Sequence, residues 1–365
     1  MSRFENLNKK QTALLISGIL LVIFIVLFSI AEIGVRFRHY LKYGGFSGIE
    51  NSYKADEKTG MRIPIPGKTT GGISINSLGF RGPEIAEEKP SNGVRLAFLG
   101  ASTTYCAEVT SNDLVWTDLV TQKLGTASPN ISFDYINGGV PGYKVSDSIN
   151  NLKLRVANLH PDIVFIYHAT NDLSFNTRRL AKAQGLVSEK DQEKENLSWF
   201  AQYSLLAYLV EKNLRLIALQ NQSEKIQGVL NYDIKEITEP FERDLRKLVD
   251  ESKKTAKFVV LITFSHRIRA EQSQEERTKA SITSLYYMPY MTVDAILEGF
   301  DAYNDVIRRV AREENVFLID KNFSIAGDGV NFNDSVHFTN QGSEQMANRI
   351  YSSLAKSQKF KNIIQ

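Results

Sequence analysis

Five short apolar runs, separated by amphipathic stretches, most limit how this chain can fold. The runs are nearly unbroken and rich in β-branched and aromatic residues, as expected for strands buried on both faces. They are Val94 to Leu99, Ile131 to Ile136, Asp162 to Tyr167, Phe258 to Phe264 and Val316 to Ile319. Between them, apolar residues repeat at helical spacing, as at Phe300, Tyr303, Ile307 and Val310. This alternation is typical of βαβ units and predicts a three-layer α/β/α sandwich with a parallel five-stranded sheet.

An uncharged, almost continuously apolar segment precedes this region, from Gln11 to Ala31. Roughly 20 such residues cross the ~30 Å hydrocarbon core of a bilayer as one helix. A cleaved secretory signal is the alternative, because Ser29-Ile30-Ala31 has small residues at a spacing that signal peptidases accept. The run is longer than the usual signal core of roughly 7 to 15 residues, which favours an uncleaved transmembrane anchor over residues 11–34.

Basic residues flank the apolar segment on both sides, so their distribution does not fix its orientation. A short tail before a signal-like run usually stays in the cytoplasm. We therefore expect a single-pass membrane protein whose catalytic domain is extracytoplasmic, in the periplasm or at the cell surface.

The rest of the chain divides by composition. Residues 1–10 form an N-terminal tail, and residues 35–92, rich in Gly and Pro, form a loop-rich connector with one possible β-hairpin. Residues 93–358 form the sandwich domain, with a predicted helical insertion over 173–236. One apolar helical face of that insertion contains Trp199, Phe200, Tyr203, Leu206, Leu209 and Val210. It indicates a helical layer packed on the sandwich, or alternatively a lid or a surface resting on the bilayer.

Charge and cysteine content exclude several functions. Forty-four basic and forty-one acidic residues leave a formal charge of +3, without a basic block to bind phosphates, so no nucleic-acid partner is expected. Cys106 is the only cysteine and cannot form an internal disulfide or a CxxC metal site. The segment Gly100-Ala101-Ser102 also lacks the spacing of a dinucleotide-binding loop.

Candidate site residues follow four of the five predicted strands. Ser102 follows the first strand, Gly142 the second, Asn171 the third, and Asp334 with His337 the fifth. Ligands of parallel sheets bind beyond the carboxyl ends of the strands, which lie at one edge. Each of these sequences is common alone as a turn or a helix cap, but their joint occurrence at one edge predicts a site.

The residue types indicate nucleophilic catalysis. A serine hydroxyl becomes a strong nucleophile when an imidazole accepts its proton, and a carboxylate orients that imidazole and stabilises its charged form. Ser102, His337 and Asp334 supply these three catalytic groups. The backbone N–H groups of Ser102 and Gly142 and the side-chain amide of Asn171 can form an oxyanion hole for the charge on the substrate oxygen.

These residues resemble the sequence blocks of the SGNH (GDSL-type) hydrolases over roughly residues 93–355. Ser102 matches the nucleophile of block I, Gly142 the glycine of block II, Asn171 the asparagine of block III, and Asp334 with His337 the DxxH of block V. Block I has Ala101 where many members have aspartate, and block III has Ala169 where glycine is usual. The resemblance implies a flavodoxin-like sandwich that cleaves or transfers ester-linked acyl groups without a metal or organic cofactor.

The connector adds a narrower resemblance. Its run from Asn76 to Gly82 looks like one that precedes the catalytic domain in some membrane-anchored bacterial relatives. Arg81 within it is interpreted as a surface turn contact, or alternatively as a substrate contact.

We therefore predict a serine esterase that forms an acyl-serine intermediate. Its expected partners are an acylated envelope glycan, a lipid or a small ester, together with the membrane. An O-acyltransferase with the same triad and an inactive scaffold are the alternatives. His168 and His266 are interpreted as structural, and His39 and His160 as surface residues. The Tyr286 to Met291 cluster fits core packing and an acyl pocket equally well.

Overall fold

The computed structural model describes residues 9–43, 52–70, 72–86, 88–187, 198–223 and 230–364. Its central feature is a five-stranded sheet in which every strand pair is parallel. The strands are β5 (Gly93–Gly100), β6 (Ser132–Gly139), β7 (Ile163–Tyr167), β8 (Phe258–Ile262) and β9 (Phe317–Ile319). They lie in the order β6-β5-β7-β8-β9, which is the flavodoxin-like order. The predicted sheet and its five strands are confirmed.

Helices cover both faces of this sheet, as a parallel sheet requires. The helices that follow the strands are α2 (Ser102–Tyr105), α3 (Trp116–Ala127), α4 (Val145–Asn151), α5 (Thr170–Ala183), α7 (Ile234–Thr255), α8 (Gln274–Tyr287), α9 (Val293–Glu313), α10 (Asn340–Leu354) and α11 (Gln358–Lys361). α3 packs against α10, while α7 packs against α4, α5 and α9. The three-layer sandwich is confirmed.

The core is formed where the strand side chains meet these helices. Phe98 on β5 is fully buried, stacks on Phe165 of β7 at 4.6 Å and meets Trp116 of α3 edge-on at 5.1 Å. Burying a side chain of this size stabilises a fold by roughly 1.5–3 kcal/mol. The sheet is therefore a rigid support for the residues at its carboxyl edge.

A long apolar helix, α1 (Lys9–Tyr43), precedes the connector. Its stretch from Lys10 to Leu41 is long and apolar enough to cross a membrane, either as an anchor or as a signal sequence. The helix continues past residue 34, where the connector was predicted to begin, because residues 35–43 contain no glycine or proline and include the good helix formers Arg36, Arg38 and Leu41.

The described part of the connector contains two short antiparallel hairpins, where the sequence predicted one. β1 (Tyr53–Ala55) pairs with β2 (Arg62–Pro64), and β3 (Thr69–Thr70) pairs with β4 (Ile73–Ser74). The first hairpin is closed by a turn ending in Gly60, whose φ of +67° favours glycine.

The predicted insertion over 173–236 is too wide. Residues 173–183 belong to α5, and residues 234–236 begin α7, so both ends are part of the sandwich. Between them the structure describes a 3₁₀ turn (Phe200–Gln202) and α6 (Leu205–Ser223). The charged run 188–195 lies outside the described residues.

One strand boundary also differs. β6 continues to Gly139, three residues past the predicted strand end, because residues 137–139 still pair with the last three residues of β5. After β6, α4 ends at Asn151 and is followed by a π-helical turn (Leu152–Val156) and a 3₁₀ turn (Ala157–Leu159).

Candidate active site

The predicted site residues lie together at the carboxyl edge of the sheet. β5 ends at Gly100, and Ser102 begins the single turn α2 directly beyond it. Gly139 ends β6 so close to α2 that a Cβ atom there would lie 2.4 Å from the backbone nitrogen of Tyr105. Asn171 lies in the first turn of α5, just after β7. The parallel strands thus bring three distant segments to one rim.

Two hydrogen bonds link the serine, histidine and aspartate. Ser102 Oγ lies 2.7 Å from His337 Nε2. His337 Nδ1 lies 2.8 Å from Asp334 Oδ2, and Asp334 Oδ1 accepts the backbone N–H groups of Val336 and His337, each at 2.9 Å. The carboxylate therefore fixes both the imidazole and the loop that carries it.

The loop that carries Asp334 and His337 is held at several points. The backbone N–H of Asn333 donates to the carbonyl of His337 at 2.8 Å. Arg267 donates its backbone N–H to the carbonyl of Ser335 at 2.8 Å, and the Ser335 hydroxyl accepts the backbone N–H of Ser284 at 3.1 Å. These contacts hold the imidazole in place before a substrate binds.

Burial and charge shift the pKa values of Asp334 and His337 in opposite directions. Burial by itself would raise the pKa of the Asp334 carboxyl, but the hydrogen bond and charge of His337 and two backbone N–H groups bring it below its usual value. Burial would lower the pKa of His337, but the hydrogen bond and charge of Asp334 outweigh it, so this pKa is raised. The site thus stabilises an imidazolium next to a carboxylate, the charge state that a proton-accepting base reaches.

The predicted oxyanion-hole groups belong to the segments that follow β5, β6 and β7. Gly142 has φ +88°, a left-handed conformation that favours glycine. The side-chain amide of Asn171 donates to the carbonyl of Tyr143 at 2.9 Å. An amide has two N–H donors, so this bond orients the group and leaves the second donor available. Within the described residues, the backbone N–H groups of Ser102 and Gly142 have no hydrogen-bond acceptor.

A buried cluster behind this rim was missed by the sequence reasoning. Asp172, next to Asn171, accepts the backbone N–H of Val145 at 3.1 Å, which fixes the start of α4 just after the Gly142 loop. His168 Nε2 lies 2.8 Å from Ser148 Oγ, and His168 Nδ1 lies 3.9 Å from Asp172 Oδ2. A carboxylate directly after the block III asparagine was the available signal, but its apolar surroundings were visible only in the fold.

Arg81 also differs from both predicted roles. It is 1% exposed and donates to the carbonyls of Tyr105, Cys106 and Val109. It is therefore neither a surface turn residue nor a substrate contact. It fastens the connector to the segment that follows Ser102, where those carbonyls would otherwise be buried without partners.

The remaining histidines and the aromatic cluster mostly have structural roles. His266 is fully buried and stacks on Phe300 at 4.7 Å, while His160 is exposed. His39 is half-buried rather than at the surface. In the 286–291 cluster, Met288, Tyr290 and Met291 are buried in the core, and Tyr287 is exposed.

A cavity of about 350 Å³ lies beside the site, between α1, the hairpins and α6. Its lining includes His39 of α1, Lys212 of α6, and Glu108 from the segment that follows α2. Glu108 connects it to the loop that carries His337, since its carboxylate accepts the side-chain amide of Asn333 at 2.6 Å. Among the described residues, no group of three or more His, Cys, Asp and Glu side chains is arranged to hold a metal ion.

Comparison with known families agrees with this arrangement. Residues 98–345 match the GDSL-like Lipase/Acylhydrolase family. The chain belongs to this family. It is therefore a hydrolase of the class that cleaves ester bonds, as its sequence blocks predicted.

Solved structures match the chain at low identity. The acetylxylan esterase Axe2 from Geobacillus stearothermophilus is 19% identical with a TM-score of 0.42, over 72% of this chain and 96% of its own. LAE5, an α/β hydrolase from the metagenome of Lake Arreo, Spain, is 15% identical with a TM-score of 0.43, over 73% of this chain and 96% of its own. No curated protein matches the chain.

Proposed function

We propose that this family member is a serine esterase in which Ser102, His337 and Asp334 form the catalytic triad. The supporting observation is the unbroken chain of two hydrogen bonds, 2.7 Å and 2.8 Å long, from the hydroxyl through the imidazole to the carboxylate. Distances of this size are short enough for direct proton transfer between the serine and the histidine.

The reaction proceeds in two halves. Ser102 Oγ attacks the ester carbonyl while His337 Nε2 takes its proton, and the tetrahedral intermediate collapses when the imidazolium protonates the leaving alcohol. Water then attacks the acyl-serine with His337 again as the base, releasing the free acid and restoring the hydroxyl. Asp334 stays ionised and stabilises the imidazolium in both halves.

Three donors stabilise the charge that develops on the substrate oxygen. They are the backbone N–H groups of Ser102 and Gly142 and the free N–H of the Asn171 amide. Each donor of this kind contributes about 3 kcal/mol to transition-state stabilisation. Their role is supported by the left-handed turn at Gly142 and by the bond that holds Asn171 to Tyr143.

The substrate proposed is an ester-linked acyl group on an envelope glycan or a lipid. This follows from the family's chemistry together with α1, which we propose crosses the membrane as an uncleaved anchor and places the catalytic domain outside the cytoplasm. The division into tail, anchor, connector and catalytic domain, with boundaries near residues 10, 34, 92 and 358, belongs to this proposal.

Covalent labelling tests the nucleophile. A fluorophosphonate probe added to the purified protein is expected to label it, and Ser102→Ala should abolish labelling and lower kcat on a model ester by on the order of 10⁶-fold. Ser148→Ala is the matched control, because Ser148 also contacts a histidine but is fully buried. Labelling that persists in Ser102→Ala, or disappears only in Ser148→Ala, would contradict the assignment.

Product analysis tests hydrolysis against transfer. With an acylated substrate and a glycan acceptor present together, the proposal predicts free acid as the main product. Acyl groups accumulating on the glycan would replace the esterase with an O-acyltransferase. A folded chain that neither labels nor turns over would favour the inactive scaffold.

A further inference from the structure

The apolar helix α1 is fastened to α6 by one carboxylate. Glu32 accepts the backbone N–H groups of Leu205 at 3.0 Å and Leu206 at 2.8 Å, and the hydroxyl of Ser204 at 2.8 Å. It therefore caps the N-terminus of α6, where backbone N–H groups lack partners within the helix and the helix dipole favours negative charge. Arg36 of α1 adds a bond to the carbonyl of Tyr203 at 3.1 Å.

An aromatic cluster lies next to this cap. The Phe200 ring contacts the Phe28 ring of α1 at 5.4 Å, and Trp199 contacts Tyr203 at 5.5 Å. Phe28 lies within the uncharged run that ends at residue 31, one helical turn before Glu32. The cluster is thus level with the end of the uncharged run of α1, where a bilayer would give way to water.

These rings are exposed although they lie beside a folded domain. Trp199 is 74% exposed, Tyr203 68% and Phe200 49%. Along α6 the exposed apolar residues Val210, Leu214 and Ile217 follow at helical spacing. None of the described residues buries this surface, so the aromatic cluster and the α6 stripe form one apolar patch that continues from α1.

We propose that this patch, over residues 199–217, seats the catalytic domain on the lipid bilayer that α1 crosses. Trp and Tyr side chains favour the boundary between lipid headgroups and acyl chains, since one end of each ring is apolar and the other forms hydrogen bonds. Continuity with α1 selects a bilayer rather than a second copy of the chain. The inference rests on the anchor proposed above and goes beyond it, because an anchor alone would leave the domain free to swing away from the membrane.

The seating also fixes how the site meets its substrate. The cavity beside the triad is lined by His39 of α1 and by Leu205, Tyr208, Leu209 and Lys212 of α6, the same two helices that would contact lipid. An ester carried by a membrane lipid or by a lipid-linked glycan would thus reach the site from the bilayer surface.

Tryptophan fluorescence tests the proposal, because the chain has only two tryptophans. Trp116 is fully buried in the core and Trp199 is exposed. The full-length protein is reconstituted into phosphatidylcholine vesicles whose acyl chains carry bromine either near the headgroup or near the bilayer centre. Bromine near the headgroup is expected to quench the Trp199 emission at least twofold more than bromine at the centre. Trp199→Phe should leave only Trp116 emission, unaffected by either lipid.

A moved tryptophan gives the matched control. Phe175 on α5 is 51% exposed, and its ring contacts Lys144 rather than α1 or α6. In the double variant Trp199→Phe/Phe175→Trp, aqueous iodide should quench the new tryptophan and brominated lipid should not. Retained fluorophosphonate labelling would show that each variant is folded.

Two outcomes overturn the inference. Trp199 quenched by iodide but not by brominated lipid would mean that the patch faces water. Trp199 protected from both would mean that protein covers it, as in a dimer. An alkaline carbonate wash separates the two proposals: a chain that stays in the vesicles but is not quenched refutes the seating alone, whereas a chain that is washed out refutes the anchor as well.

Discussion

Two serine–histidine–aspartate sets with different environments lie in the part of the chain that the structure describes. In the rim set, Ser102 Oγ lies 2.7 Å from His337 Nε2, and the carboxylate lies 2.8 Å from the other ring nitrogen. In the buried set, Ser148 Oγ lies 2.8 Å from His168 Nε2, but the corresponding distance from His168 Nδ1 to Asp172 is 3.9 Å. The serine–histidine contact is almost the same in both.

The two sets differ in the charge that they favour. Burial lowers the pKa of His168 to about 3 and raises the pKa of Asp172 to about 7, so that imidazole is neutral at physiological pH and the 3.9 Å contact is not an ion pair. At the rim, the close carboxylate outweighs burial and raises the pKa of His337. Residue types alone therefore do not make a catalytic triad; the imidazole needs a carboxylate close enough to stabilise its charged form.

The largest expected difference comes from neutralising each carboxylate. Asp334→Asn should lower kcat by on the order of 10⁴-fold, because the amide orients the imidazole wrongly and cannot stabilise its charge. Asp172→Asn should stay within about tenfold of the unchanged enzyme, since its amide oxygen can still accept the Val145 N–H. Steady-state hydrolysis of a model ester measures both. Equal losses in the two variants would mean that the buried set takes part in the chemistry.

The next largest loss of activity is expected at Asn171, which directly precedes Asp172 in the chain. Asn171→Ala should lower kcat by about 10²–10³-fold, the usual cost of losing one oxyanion-hole donor, with a smaller change in KM. The same ester assay, together with a melting curve to confirm folding, makes the measurement. A change confined to KM would assign Asn171 to substrate binding and leave the oxyanion hole with its two backbone donors.

Stability should respond to pH with opposite signs in the two aspartate variants. The folded pKa of Asp172 is raised, so its stabilising effect is present at acid pH and lost as pH rises towards about 7. Relative to the unchanged protein, Asp172→Asn should therefore become more stable by roughly 2–4 kcal/mol between about pH 4 and about pH 8.

The folded pKa of Asp334 is lowered, so its stabilising effect is present near neutral pH and is lost as pH falls through that pKa. The destabilisation caused by Asp334→Asn should thus shrink on acidification. Urea unfolding of both variants in detergent, at acid and neutral pH, makes the comparison. Parallel trends in the two variants would show that the rim and buried carboxyls have similar environments.

The smallest effect is a shift of the pH profile. His337 acts as a base only when neutral, so kcat/KM should fall as pH drops through its pKa, with a midpoint above the ordinary histidine value of about 6.5. Ring NMR signals of His168 should not titrate between about pH 5 and about pH 8. A midpoint below about 6.5 on the acid side of the kcat/KM profile would mean that burial lowers the pKa of His337 more than the Asp334 carboxylate raises it.

Most of the fold was predictable because each strand is read from a local pattern. Near-continuous apolar runs such as Phe258 to Ile262 occur where both faces of a parallel strand are covered, and all five were identified. Errors arose where contacts beyond the local segment decide the structure. The end of β6 depends on its pairing with β5. The ends of the insertion depend on the packing of α5 and α7 against each other.

Arg81 is a single residue whose position also depends on contacts with distant segments, which the local sequence does not reveal. A charged side chain in a glycine-rich turn indicates a surface position, and this prediction was wrong. The carbonyls of Tyr105, Cys106 and Val109 need a buried donor, and that need exists only once the connector folds over α2.

The sequence by itself predicted the layered α/β architecture, the apolar helix at the N-terminus and the five candidate site residues that follow the strands, because strand pattern, apolar length and residue type are local properties. The tertiary structure alone decided which histidine has a carboxylate within hydrogen-bonding distance and which is sealed in the core. It also decided that Glu32 caps α6. Hydrogen bonding and desolvation depend on distances between segments far apart in the chain, and only folding sets those distances.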